Sequence, residues 1–164
     1  MFKDTTILIE LKSIYFRQMR QLPPSILNDC PSIRVVNFYD GILLEFPPDD
    51  SANASDGQAV AKWLFSPHSE NFSKVLSIEN LAVDQWSATV EQIKAAFSIA
   101  SSPVAFVICV YFPPSSSIGS VLPFEMINKL TGENLTMSSQ GMKKMKVVLC
   151  SCVVQLQRAI RKNG

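Results

Sequence analysis

The sequence predicts an α+β (or α/β) protein, a single domain over residues 1–164 built as a mixed β-sheet with one main amphipathic helix (about 84–100) packed on it. Three observations carry that prediction. Trp86, Val90, Ile93 and Phe97 recur at i, i+4, i+7 and i+11, one apolar stripe on a helix, with Glu91 and Lys94 outside it. Val104–Phe112 is an unbroken apolar run rich in Val and Ile, which suits a central strand covered on both faces. A chain of 164 residues that is 47% hydrophobic and 18% charged can bury a core without disulfide or metal staples.

The remaining elements follow in chain order. Thr5–Leu11 is β-branched and apolar and reads as a strand. Ser13–Gln21 either extends it or turns helical. Leu22-Pro23-Pro24 punctuates the chain, and a short helix over Ser25–Asp29 ends at Pro31. Ile33–Tyr39 and Ile42–Phe46 flank Asp40-Gly41, a pair suited to the positive φ angles of a type I′ turn, which predicts a β-hairpin. Pro47–Ser55 reads as an exposed acidic loop, about residues 47–56. Asp56 is placed to cap a helix over Gln58–Phe65, with Val60, Trp63 and Leu64 on one face.

Lys74–Leu81 alternates like a strand, and Asp84 is placed to cap the main helix. The succession from Val75 to Phe112 is β–α–β, whose two strands are expected to be parallel. Pro113–Ser120 forms a second connector. Pro123–Leu130 and Asn134–Met137 bracket Thr131-Gly132-Glu133, a looser hairpin. Lys146–Val154 reads as the last strand and Gln155–Lys162 as a terminal helix, although Val153, Leu156 and Ile160 also allow a helix throughout Cys150–Ile160.

Composition narrows the functional classes. The N-terminus lacks the uninterrupted apolar stretch of a signal peptide. Val104–Phe112 falls far short of the roughly 20 residues of a membrane-spanning helix. The expectation is therefore an intracellular protein, cytoplasmic or nuclear, with no membrane span. In that compartment the sequons at Asn53, Asn71 and Asn134 are chance triplets. A net charge of +1 argues against a body dedicated to nucleic acid.

Candidate chemistry is sparse. The four cysteines, Cys30, Cys109, Cys150 and Cys152, form no Cys-x-x-Cys, and with the single His68 they leave too few soft ligands for a metal site. Cys150 and Cys152, two apart, share one face of a strand and read as small buried hydrophobes. His68 lies in a polar loop, Ser66–Glu70, without the setting of a general base. The chain holds no nucleophile elbow, phosphate loop or dinucleotide fingerprint, and only six glycines. No cofactor is expected.

Charge is polarised. Six bases and no acid follow Glu133, whereas nine bases face fourteen acids before and including it. Lys143, Lys144, Lys146, Arg158, Arg161 and Lys162 form a possible basic surface in the C-terminal segment, about 141–164. No aromatic residue interleaves them, so base stacking on nucleic acid has no support.

Leu76–Leu81, Trp86 on the following helix and the apolar strand to Phe112 set a rhythm over Trp63–Phe112 that resembles the F-box-associated regions of large nematode protein families. Leu22–Leu27 resembles the opening of an F-box, but an F-box continues through helices, whereas Ile33 begins a strand. The resemblance implies non-catalytic, substrate-recruiting binding in ubiquitin ligation. The function expected is thus a protein–protein interaction module, with protein partners engaged by the two loops or the basic segment. Alternatives are a small enzyme or thiol-dependent protein using Cys150, Cys152 or His68, and a weak RNA binder through the C-terminal bases.

Overall fold

The computed structural model describes residues 7–11, 23–39, 43–67, 73–113, 122–140 and 146–153. They form strands β1 (Ile7–Leu11), β2 (Ile33–Phe38), β3 (Lys74–Glu79), β4 (Phe106–Tyr111), β5 (Phe124–Ile127), β6 (Glu133–Gln140) and β7 (Lys146–Val153). Three helices are interposed: α1 (Ile26–Asp29), α2 (Asp56–Phe65) and α3 (Val83–Ile99). All seven strands join one mixed sheet in the order β1-β2-β3-β4-β7-β6-β5. β1 to β4 are mutually parallel, and β7, β6 and β5 continue antiparallel.

A single row of residues explains why the sheet closes on one core. Ile9, Val36, Leu76, Ile108, Leu149, Met137 and Phe124 are paired in succession across all seven strands. Every member is apolar. Val36, Leu76 and Ile108 are fully buried, as are Ile78 and Val110 two residues further along their strands. The neighbouring row, Val35, Val75, Val107, Cys150, Thr136 and Glu125, belongs to the other face, and its described side chains are half-buried or exposed.

Both long helices cover the first face. Phe65 of α2 sets its ring 5.3 Å from Phe106. The predicted stripe of α3 (Trp86, Val90, Ile93, Phe97) is buried throughout, and its Lys94 Nζ sits 4.2 Å over the Phe124 ring. Strand order gives the reason. Crossovers of one hand that always step the same way along a sheet leave their helices on the same side. β4 is thus central but buried to completion on one face only, with Val107, Cys109 and Tyr111 half-buried on the other, not covered equally on both.

Three predicted details are corrected. The hairpin around Asp40-Gly41 is absent: β2 lies between β1 and β3, parallel to both, so no edge remains for an antiparallel partner. Residues 43–46 instead lead to α2, burying Leu44 beneath it, and residues 40–42 lie outside the described residues. The cap of α2 is Ser55, not Asp56. Ser55 Oγ accepts from the Gln58 N–H (3.1 Å) while the Gln58 side chain accepts from the Ser55 N–H (3.0 Å), a reciprocal capping box. The cap position of α3 is Ala82, two residues before Asp84, so Asp84 sits in its first turn and favours the helix dipole without capping it.

The remaining expectations divide cleanly. The β5–β6 hairpin forms, and Cys150–Val153 belong to β7, which rules out a helix starting at Cys150. Ser13–Gln21 and Gln155–Lys162 lie outside the described residues.

Candidate functional site

The strand order itself removes one class of site. In doubly wound sheets, ligands bind where the order reverses direction. β1 to β4 run in sequence without such a reversal, so this half of the sheet opens no crevice of that kind. Elsewhere the fold holds some side chains rigidly yet leaves them exposed.

The clearest such place is the corner where the end of α3 meets the β5–β6 turn. Asn128, fully buried, organises it. Its Nδ2 donates to the carbonyls of Phe97 (2.7 Å) and Ala100 (2.8 Å), closing the C-terminal end of α3. Its Oδ1 accepts from the N–H groups of Leu130 (2.7 Å) and Thr131 (3.2 Å), fixing the turn. Gly132 completes the turn with a φ of +76°, a conformation glycine adopts without steric cost. Glu133, also buried, accepts from the Val104 N–H (3.0 Å) and the Thr131 hydroxyl (3.1 Å), tying the turn to the approach to β4.

Beside this polar knot two large apolar side chains stand in solvent. Ile99, lying in sequence between the two carbonyls bound by Asn128, is 76% exposed, and Leu130, whose N–H bonds Asn128, is 67% exposed; Ile127, 63% exposed, lies on the opposite sheet face with Glu125. Single exposed apolar residues need no explanation, but two held beside one rigid, hydrogen-bonded corner suit contact with a partner. Lys129 is exposed among them.

The corner adjoins a free strand edge. β5 ends the sheet and is paired on one side only among the described residues. The Asn128 N–H donates to the Glu133 carbonyl at 2.8 Å, which marks that pair as hydrogen-bonded. Alternation along an antiparallel ladder then assigns Met126 and Phe124 to bonding with β6. The N–H and C=O groups of Glu125 and Ile127 point away from β6, toward the open edge.

A second concavity, about 370 Å³, lies between α1 and the end of α2 and is lined by Leu27, Cys30, Asp50, Lys62, Trp63 and Lys74. Lys74 is 4% exposed, and burial pushes its ammonium down to about 8. A depressed lysine in a cleft invites a catalytic reading. Its bonds point elsewhere: Nζ donates to the carbonyls of Trp63 and Ser66, the latter at 2.8 Å, at the C-terminal end of α2. No described carboxylate bonds it. Lys74 therefore serves as the helix's terminal donor, where a cation also meets the negative end of the dipole.

The sequence-based candidates fall as follows. Lys146 begins β7 and pairs with Tyr111 and Gln140. Lys143, Lys144, Arg158, Arg161, Lys162 and His68 lie outside the described residues, as do residues 114–121 of the second connector. Cys150 pairs with Val107 and Thr136, and Cys152 with Asn134, alternate positions of one strand as expected.

The acidic loop is more ordered and less exposed than its composition suggests. Asn28 donates to Asp50 (2.9 Å), Gln58 to the Pro47 carbonyl (3.2 Å), and Ser55 to Glu45 (2.5 Å), leaving Pro47 and Ser51–Asn53 as its exposed part. The Ser51 N–H and hydroxyl hold the Asp49 carboxyl below its ordinary value. The Asn134 side chain is buried and donates to Glu125, so its sequon is not available for modification. Among the described residues, no three His, Cys, Asp or Glu side chains gather as metal ligands, and no helix is long and apolar enough to cross a membrane.

Sequence reasoning missed Asn128 and the edge. The available signal was Ile127-Asn128-Lys129-Leu130, a turn approach carrying two large apolar residues where turns are ordinarily polar. Compared with known proteins, the chain matches no family model, no curated protein and no solved structure.

Proposed function

We propose that this protein is a non-catalytic recognition module that binds a protein partner at the corner carrying Ile99 and Leu130. One observation carries the reading: two exposed apolar side chains are held beside a buried asparagine that makes four hydrogen bonds. A preorganised patch loses little conformational entropy on binding, and large apolar side chains supply contact area. The resemblance of Trp63–Phe112 to F-box-associated regions agrees with this role, and under it the partner is a substrate recruited for ubiquitin ligation.

The test compares the full chain with an Ile99→Asp, Leu130→Asp double variant, both immobilised and exposed to extract of the source cell. Quantitative mass spectrometry is expected to find a discrete set of proteins retained by the parent and depleted at least tenfold by the variant. Thermal melts verify that both fold. Equal retention by the two would remove the corner as the site.

A further inference from the structure

We infer that the partner contributes an extended segment that adds as an eighth strand alongside β5, and that this segment carries a basic residue opposite Glu125 and an apolar residue opposite Ile127. The inference rests on the recognition reading and specifies its chemistry. Glu125 and Ile127 present two N–H and two C=O groups to the open edge, as the Asn128–Glu133 bond fixes the phase of the ladder. Alternating donors and acceptors at strand spacing are satisfied together by another extended backbone.

Side chains set the specificity. Glu125 and Ile127 lie on the same face of the sheet, and both are exposed. The Asn134 amide donates to Glu125 Oε1, which orients the carboxylate and leaves Oε2 without a described partner. Across an antiparallel pair, an opposite charge is favourable and a like charge unfavourable. Added antiparallel to β5, as β6 is on its other side, the expected segment reads apolar–x–basic from N- to C-terminus.

The same geometry argues against β5 of a second copy, paired antiparallel, as the occupant. Residues opposite one another must share a face, so β5 can pair with itself in only three registers. One sets Glu125 against Glu125, and one sets Glu125 against Ile127. The third, centred on Ile127, engages a single residue of each copy before the chain turns at Asn128. None satisfies the carboxylate. A heterologous segment with a lysine or arginine does.

The test selects binders to the full chain from a displayed library of random octapeptides. The expected consensus is apolar–x–Lys/Arg, and Glu125→Lys should exchange the basic preference for Asp or Glu, weakening the original peptides about fivefold. Ile127→Pro, which deletes an edge N–H without touching the β6 ladder, should abolish selection while the melt shows a folded protein. Failure to enrich any peptide, or an unchanged consensus after the charge swap, overturns strand addition. So does a dimer in size-exclusion chromatography that Ile127→Pro dissolves, since the second copy would then hold the edge. Cell-extract partners lost in Ile99→Asp, Leu130→Asp but kept in Ile127→Pro would retain the corner and reject the edge. Partners kept in both would reject both.

Discussion

Asn128 concentrates more of the candidate site in one side chain than any other described residue. It bonds two carbonyls at the end of α3 and two N–H groups of the β5–β6 turn, so its loss strands four backbone groups. Asn128→Ala is expected to cost about 2–4 kcal/mol in urea unfolding, because net hydrogen-bond losses add to unsatisfied groups. A loss below about 1 kcal/mol would mean that water replaces those bonds freely. Lys74 poses a different balance. Desolvation lowers its folded value from 10.5 to about 8, so between those pH values the unfolded chain binds more protons than the folded one. Stability from this group therefore rises with pH across that window, by up to about 3 kcal/mol. With Lys74→Met as the reference, the parent should gain stability on the variant between pH 8 and pH 10. A difference that shrinks with pH would show that the two carbonyls outweigh burial and hold the amine charged.

At the scale of elements, α2 and α3 are built by different means. α2 starts on the Ser55–Gln58 capping box and approaches the 43–45 segment so closely that a Cβ on Gly57 would lie 2.4 Å from the Leu43 carbonyl oxygen. Gly57→Ala should thus destabilise by about 1–3 kcal/mol through overpacking, although alanine is the better helix former. A stabilised variant would indicate that the segment shifts without cost. α3 has no side-chain cap and depends on its buried stripe, where Trp86 and Phe97 are fully enclosed. Trp86→Ala should cost about 3–5 kcal/mol in denaturant unfolding. An effect under about 1 kcal/mol would contradict its burial.

Across the whole molecule, β7 is the seam. It pairs with β4 on one side and β6 on the other, joining the parallel and antiparallel halves through eight residues. A chain ending at residue 145 leaves both flanking strands without their ladder and should lose cooperative unfolding by circular dichroism. A sharp two-state transition in that truncation would show that the parallel half folds alone. Placing the last strand between β4 and β6 also pushes β5 to the rim, which leaves its outer edge unpaired among the described residues.

Local elements were legible in the amino-acid pattern wherever period and burial agree. The α3 stripe, the alternation of Lys74–Leu81 and the β5–β6 pair carry their pattern in neighbouring residues. The amino-acid sequence also carried the Ser55–Gln58 box, though Asp56 drew the cap assignment one position along. Tertiary structure decided which strands are neighbours. Ile33–Phe46 has the composition and the Asp-Gly pair of a hairpin, yet β2 gains more by lying between two parallel strands, where both its edges bond and Val36 and Phe38 are buried under the helices. The candidate site lies almost wholly on the tertiary side. Asn128, Phe97, Ala100, Glu125 and Ile127 acquire their roles only when α3 is laid against the rim of the sheet, because an unpaired edge and a rigid exposed corner depend on which strand comes last in space, not in sequence.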